Sequence, residues 1–136
     1  MVCFVLHLCW QGSKFPGRIH KSAVLTESRR VPILWKFLYS RNIDACPKNF
    51  FKPDFNTKNW SDIEVPGSWE LQGFDCPIYT DVKYPFPANP PFVPSDYNPV
   101  GIYAKDFIVP KSFNGMDVFL EFEGVESAYY CWVNGQ

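Results

Sequence analysis

Apolar and polar residues alternate along several short segments of this chain, which is the pattern of half-buried β-strands. The clearest segment is residues 33–39, where one face carries four large residues: Ile33, Trp35, Phe37 and Tyr39. We expect a strand there with its aromatic face turned inward. Shortly downstream, Trp60 and Ile63 are expected to be core residues.

More strands are predicted in the second half of the chain. Residues 102–109 form an apolar segment that Pro110 ends, because proline has no N–H for a strand ladder. Residues 117–122 alternate after an Asn114-Gly115 turn, and residues 128–133 are apolar on both faces, as in a central strand. The Asn-Gly pair at 134–135 predicts a two-residue hairpin turn, so we expect the domain to be incomplete before its last strands.

A long proline-rich segment, residues 65–103, separates these two strand regions. Nine of the 13 prolines lie between Pro66 and Pro110, which excludes a helix or a long central strand there. The segment also contains many aromatic residues, which favours an ordered loop over disorder: Trp69, Phe74, Tyr79, Tyr84, Phe86, Phe92 and Tyr97. From composition alone it is a connection packed over a β-sandwich; alternatively, it carries a side chain into a ligand pocket or a neighbouring domain.

Composition and charge narrow the class of protein. The chain has 136 residues, enough for one core, and its 18% aromatic content with 13 prolines and eight glycines favours an all-β fold. The formal net charge is −1, and no basic cluster extends beyond Arg29-Arg30. We therefore expect no nucleic-acid partner and no anionic membrane partner.

The cysteines do not predict a metal site. Their number is odd, no C-x-x-C spacing occurs, and the two histidines, His7 and His20, are far from most of them in sequence. We interpret Cys3, Cys9, Cys46, Cys76 and Cys131 as small apolar groups in a reducing compartment, the cytoplasm.

The first 30 residues differ in character from the rest. The apolar segment within residues 1–10 is too short to span a membrane and lacks the basic residues that open a secretory signal. We expect residues 1–30 to be an atypical leader, artefactual or disordered, and residues 31–136 to be the β-sandwich domain.

Several short motifs follow one another in a fixed order from Val65 onward. They are VPGSWE (65–70), PIY (77–79), YPF (84–86), NPPFVP (89–94), NPVGIY (98–103), FEGVESA (122–128) and WVNG (132–135). Together they resemble the first domain of lac-type β-galactosidases, in glycoside hydrolase family two, from about Trp35 to Gln136. The NPPFVP motif separates this group from β-glucuronidases and β-mannosidases, which share the Val-Pro and Val-Asn-Gly signals.

The resemblance implies a jelly-roll β-sandwich similar to galactose-binding domains. It also implies the N-terminal domain of a β-galactosidase that hydrolyses terminal non-reducing β-D-galactose residues in β-galactosides such as lactose, in carbohydrate metabolism. Both catalytic glutamates of that family lie in a barrel that follows this domain, so we expect no catalytic residue here and no activity of the chain alone. Mg²⁺ and Na⁺ are implied for the full enzyme and no cofactor for this piece, with the remaining domains and further subunits of a homo-oligomer as partners.

One residue is implied as a substrate contact. Asn89 matches the asparagine with which the first domain of these enzymes reaches bound galactose, and its carboxamide offers donors and an acceptor to sugar hydroxyls. The alternative is that Asn89 only starts a turn before Pro90. Turn formation is also the expected role of Asp96 and Asn98.

Other side chains offer weaker candidates. Retaining glycoside hydrolysis needs two carboxyl groups about 5 Å apart. Glu121 and Glu123 could share a strand face, but solvated face charges at alternate positions are far more common, and the same holds for Glu70 and Glu126. Tyr84 and Phe92 could stack on a sugar ring, although we expect both to pack in the core.

A second class of function stays open from the residues alone. The chain could be a stand-alone carbohydrate-binding or interaction module without a catalytic partner.

Overall fold

The structure, a computed structural model, is all-β. It describes residues 2–10, 22–24, 33–77, 86–120, 122, 124–125 and 128–136. The strands are β1 Val2–Trp10, β2 Ser22–Val24, β3 Ile33–Ser40, β4 Ser61–Val65, β5 Val100–Val109, β6 Asp117–Phe119 and β7 Tyr129–Val133. Glu70–Gln72 and Lys111–Phe113 form 3-10 turns, and no α-helix occurs within these ranges. The all-β prediction is confirmed, and the architecture is consistent with part of a β-sandwich.

The larger sheet has the strand order β4-β3-β5-β1-β7. Its antiparallel part is β4-β3-β5, in which Trp35 lies opposite Ile63 and Phe37 lies opposite Tyr103. β1 runs parallel to both β5 and β7, and β2 pairs with β6 in a separate parallel ladder. Two segments of the expected leader thus lie in the sheets, while the boundary at residue 31 stays a prediction.

The alternation that predicted β3 matches its burial. Trp35 and Phe37 are buried, whereas Leu34, on the opposite face, is exposed. Trp60 and Ile63 are also buried, as expected, and Ile63 is fully enclosed. The sequence pattern therefore predicted both the strand and the inward-facing residues beside it.

The strands downstream agree in part with their predictions. β5 extends to Val109 and ends before Pro110, as expected. Asn114 and Gly115 form the predicted turn, with Gly115 at φ 77°. β6 is shorter than the predicted strand, but its alternation continues to residue 120.

The predicted central position of the 128–133 segment is wrong. β7 lies at the outer end of the sheet and pairs with β1 alone among the described strands. Tyr129 and Tyr130 are largely exposed, which their amphipathic side chains tolerate better than aliphatic ones would. The Asn134-Gly135 turn is confirmed, because both residues have positive φ and Val133 and Gln136 exchange backbone hydrogen bonds.

The larger sheet carries an apolar core on each face. The loop-side core is packed by residues from the proline-rich segment and consists of Trp35, Phe37, Ile63 and Tyr103. The groove-side core is packed by the segment between β3 and β4 and consists of Phe50, Trp60, Val100, Ile102 and Ala104. The sheet is therefore covered on both faces, as in one layer of a sandwich.

The outer edge of β4 is paired by a side chain. The Gln72 carboxamide accepts a hydrogen bond from the Glu64 N–H at 2.8 Å and donates one to the Glu64 carbonyl at 2.9 Å. Gln72 thus makes the two bonds that a neighbouring strand would make at that position.

Candidate functional site

The proline-rich segment begins by packing against the loop-side face of the sheet. The Trp69 ring lies 5.8 Å from the Phe37 ring and covers Gly101 of β5. A Cβ atom at Gly101 would lie 1.9 Å from Trp69 Cζ3, so only glycine admits the indole here. The loop starts from a tight contact with the sheet.

Phe74 and Asp75, shortly after the Glu70–Gln72 turn, complete this first contact between the loop and the sheet. The Phe74 ring stands edge-on to Phe37, with ring centroids 4.7 Å apart. Asp75 follows at φ 65°, a left-handed conformation that aspartate tolerates better than most residues. The packing of Phe74 on Phe37 thereby places the neighbouring Asp75 at the margin of the loop-side core.

Asp75 binds two tyrosines through one oxygen atom. The Tyr39 hydroxyl, at the end of β3, donates to Asp75 Oδ2 at 2.6 Å. The Tyr97 hydroxyl, at the far end of the loop, donates to the same oxygen at 2.8 Å. Hydrogen bonds to an ionised acceptor are short and about twice as strong as neutral ones.

The pKa values of these groups reflect that arrangement. Burial, followed by the hydrogen bond to Asp75 and its charge, raises the pKa of Tyr97 to about 12, and the same causes raise the pKa of Tyr39 further. Burial opposes ionisation of Asp75, but the hydrogen bonds from both tyrosines and from the Cys76 N–H, together with the Arg41 charge, outweigh it and lower the pKa of the carboxyl. The site is therefore one carboxylate with two neutral phenols at neutral pH.

Arg41 attaches the same end of the loop to the chain after β3. Its Nε donates to the Asp96 carbonyl at 3.1 Å, and its own carbonyl accepts the Asn98 N–H at 3.0 Å. The guanidinium also lies 5.5 Å from the centroid of the Tyr97 ring. We call the set Tyr39, Arg41, Asp75, Asp96, Tyr97 and Asn98 the loop base.

Asn89 lies in the loop that this base closes. Its carbonyl accepts the Phe92 N–H at 2.8 Å across a turn that contains the cis Pro90-Pro91 bond. The residue is exposed, and its carboxamide makes no hydrogen bond within the described parts of the chain. Asn89 therefore does start a turn, and its amide is available for a ligand; the role in substrate binding stays a prediction.

The other aromatic residues of the loop differ in their positions. The prediction that Phe92 packs in the core is wrong, because its side chain is 71% exposed at the end of the turn. Tyr79 and Tyr84 lie outside the described residues. The Phe86 ring packs 6.5 Å from that of Tyr97, and so extends the loop base.

The acidic candidates do not form a described pair. Glu121, Glu123 and Glu126 lie outside the described residues, and Glu70 accepts a hydrogen bond from the Ser68 hydroxyl. Within the described ranges, histidine, cysteine and acidic side chains form no group of three or more that could hold a metal ion. The expected Mg²⁺ and Na⁺ stay predictions for the full enzyme.

The cysteines and helical segments add little chemistry. Cys46, Cys76 and Cys131 are free thiols, and burial raises the pKa of Cys131. None of the helical segments described here has the length and apolar character needed to traverse a bilayer.

A groove of about 660 Å³ lies mainly on the other face of the sheet. Its walls include Lys36 and Asp62, which pair at 2.7 Å, and the exposed turn residues Asp54 and Lys58. Asn89 does not line it. The groove and the loop are thus separate features on opposite sides of β3.

Comparison with known proteins identifies the family. The sequence model described as "Glycosyl hydrolases family 2, sugar binding domain" matches residues 29–136, most of the chain. The chain therefore belongs to this family of sugar-binding domains, as its motifs indicated.

Curated relatives carry one shared name. Proteins named β-galactosidase from Priestia megaterium and Psychromonas ingrahamii are 45% and 46% identical over 75% and 74% of this chain. A β-galactosidase from Pectobacterium atrosepticum is 41% identical over 85% of it. The chain spans only about a tenth of the length of these relatives, 10% to 11%.

The sequence did not identify the loop base as a unit. Tyr39 and Tyr97 were expected to be aromatic packing residues, and Asp75 and Arg41 had no assigned role. One signal was available, an acidic residue next to a buried aromatic residue at the mouth of a long loop. This signal does not reveal which distant hydroxyls donate hydrogen bonds to the carboxylate.

Proposed function

We propose that this chain is the N-terminal domain of a retaining β-galactosidase that hydrolyses terminal non-reducing β-D-galactose residues, as in lactose. The observation that carries the proposal is the identity of 41% to 46% to proteins named β-galactosidase across the family's sugar-binding domain. In this proposal the catalytic carboxylates, and any Mg²⁺ or Na⁺, belong to other parts of a cytoplasmic homo-oligomer.

The domain supports the active site by presenting Asn89 to the galactoside. A carboxamide has two N–H donors and a carbonyl acceptor, which suits the donor and acceptor pattern of sugar hydroxyls. Its exposure and the turn closed by the Phe92 N–H support this role, since the amide can reach a ligand without first breaking an internal bond.

A chimeric enzyme tests the proposal. Residues 31–136 of this chain replace the matching segment of the Priestia megaterium β-galactosidase, and hydrolysis of a nitrophenyl β-galactoside is measured. We expect the chimera to retain activity and the 136-residue chain alone to have none. Turnover by the chain alone would show that catalysis does not depend on a missing barrel.

Asn89→Ala in the chimera tests the substrate contact. Losing one sugar hydrogen bond, and leaving a hydroxyl unpaired, lowers kcat/KM by about tenfold to several hundredfold. Because the side chain is exposed, the melting temperature should barely change. Asn59→Ala, at an exposed asparagine on the segment before β4, is the matched control and should leave the kinetics unaltered.

Two results would assign Asn89 differently. Unchanged kinetics in the Asn89→Ala chimera would remove it from the binding site, and a chimera that fails to fold only with this substitution would make it a turn former.

A second candidate, a carbohydrate-binding module without catalysis, is favoured by the groove. Its lysine and aspartate side chains balance in charge, as suits a neutral polyhydroxylated ligand. Titration of the chain alone with galactose, followed at the amide signals of residues 36 and 62, separates the two. Binding at those signals with an inactive chimera would support this candidate over the enzyme domain.

A further inference from the structure

We propose that Asp75 is a positioning residue, whose carboxylate joins both ends of the proline-rich loop to β3 and so holds the Asn89 amide in place. The part that concerns substrate rests on the proposed function. The part that concerns the loop stands on the geometry of the described residues alone.

The first step is the span that the carboxylate closes. Asp75 and Tyr97 are 22 residues apart, and the hydrogen bond between them joins the two ends of the segment that contains Asn89. Tyr39, 36 residues from Asp75, binds the same oxygen from the sheet. One atom therefore connects the start of the loop, the end of the loop and the end of β3.

The second step is that each partner is itself held. Asp75 follows Phe74, which packs on the fully buried Phe37. Tyr97 lies under the Arg41 guanidinium. The Arg41 side chain donates to the Asp96 carbonyl and the Arg41 carbonyl accepts the Asn98 N–H, so Arg41 holds the residues on either side of Tyr97. A shift at one end of the loop must therefore break contacts at the sheet as well.

The third step distinguishes positioning from general stability. The loop base is half-exposed, and Tyr39 is its one member that packs against an apolar core. Because neither variant below alters Tyr39, losing the bonds of the base should leave the sheet folded. Between the two attached ends, Asn89 makes no other described side-chain bond. Its position relative to the sheet thus depends on the base.

Two variants test the proposal without disturbing the backbone. Asp75→Asn keeps the size of the side chain and suits φ 65°, because asparagine also tolerates the left-handed region, but it removes the charge. Tyr97→Phe removes one hydroxyl and keeps the ring against Phe86 and Arg41. Asp54→Asn makes the same chemical change at an exposed aspartate of the groove and is the control.

Amide hydrogen exchange on the full 136-residue chain measures the loop directly. In both variants we expect the Asn98 and Phe92 amides to exchange at least about tenfold faster, while amides of the β3–β4 ladder stay unchanged. The control should exchange like the parent chain. Unchanged exchange at Asn98 in both variants would overturn the proposal, whatever the fate of the proposed function.

Kinetics in the chimera then test the link to Asn89. Asp75→Asn should lower kcat/KM by about tenfold, because a misplaced contact loses much of its effect on the transition state. The double variant Asp75→Asn/Asn89→Ala should be no slower than Asn89→Ala alone, since Asp75 acts through Asn89. Additive losses would show an independent role for Asp75 and would overturn positioning. An Asn89→Ala chimera with normal kinetics would reject the substrate contact, whereas the exchange data would still decide the role of Asp75 at the loop base.

Discussion

The two faces of the larger sheet are both apolar, but they are completed in different ways. On the loop side, Trp69 reaches the backbone of β5 at Gly101, and hydrogen bonds to Asp75 close the polar margin. On the groove side, the covering segment leaves an open space of about 660 Å³ lined by charged side chains, among them the Lys36–Asp62 pair. One face fixes a loop closely, and the other leaves charged side chains in contact with water.

The two faces of the same strands therefore have different roles. Alternate residues of β3 serve opposite sides: Phe37 supports the loop, and Lys36 forms part of the groove. Because the side-chain period of a strand is two, changes on one face can be made without touching the other. The predictions below test how independent the faces are.

Gly101→Ala should break the loop side and have the largest effect. The new Cβ would overlap Trp69 Cζ3 and also lie 2.9 Å from Phe37 Cε2, so the indole must leave its position. We expect a loss of about 3 kcal/mol of unfolding free energy, measured by urea denaturation. Gly124→Ala, where a Cβ meets nothing within 4 Å, is the control and should change stability by less than about 0.5 kcal/mol. Equal effects at the two glycines would contradict the close packing.

The pH dependence of the loop base tests the loop side of the sheet without a substitution in an apolar core. The lowered pKa of Asp75 means that its contribution to stability is present above its unfolded pKa and is lost as pH falls through the lower folded value. The raised pKa of Tyr97 means that its contribution is full below the unfolded value of about 10 and is lost as pH rises through about 12. The loop base should therefore be intact across the neutral range and open at both extremes.

Tyrosine titration by NMR checks this directly. At about pH 11, Tyr97 should remain mostly neutral in the parent chain and become more ionised in Asp75→Asn. Tyr103 is an internal control, because burial and then the charge of Glu70 raise its pKa to about 12 independently of Asp75. A shift of Tyr103 equal to that of Tyr97 would mean that the substitution loosened the whole loop-side face.

Lys36→Met on the groove side should have the smallest effect. The Lys36–Asp62 pair is short at 2.7 Å, but its side chains are 39% and 54% exposed, so water screens it. We expect less than about 1 kcal/mol by urea denaturation, with most of the difference lost in high salt. The control is Lys52→Met at an exposed lysine. A larger, salt-independent loss would mean that the groove side is as tightly built as the loop side.

The local sequence pattern predicted the strands, but it did not predict which strands pair with each other. The alternation at 33–39 correctly gave β3 and its buried residues, because the period of side-chain direction is a property of each strand by itself. The position of β7 at the edge depends on which strands pair with it, and residues 128–133 contain no information on that choice.

The candidate site shows the same limit. The motif around Asn89 marked a turn, and the turn is present. The sequence did not predict the exposure of Phe92, because an apolar side chain favours burial. In the structure, Phe92 instead follows two prolines at the tip of a turn and is exposed. The Asp75 contacts join residues 22 and 36 positions apart, a distance over which spacing carries no signal.

The bonds between Gln72 and Glu64 bear on how this molecule behaves at high concentration. An unpaired strand edge can add a strand from another molecule, which begins fibrous aggregation. At Glu64 of β4, the Gln72 carboxamide already occupies the N–H and the carbonyl that such a strand would need. Gly67 lies beside this carboxamide, and because glycine has no Cβ it leaves space for the amide nitrogen. A single glutamine thus blocks strand addition at Glu64, because its side chain takes the place of a neighbouring strand there.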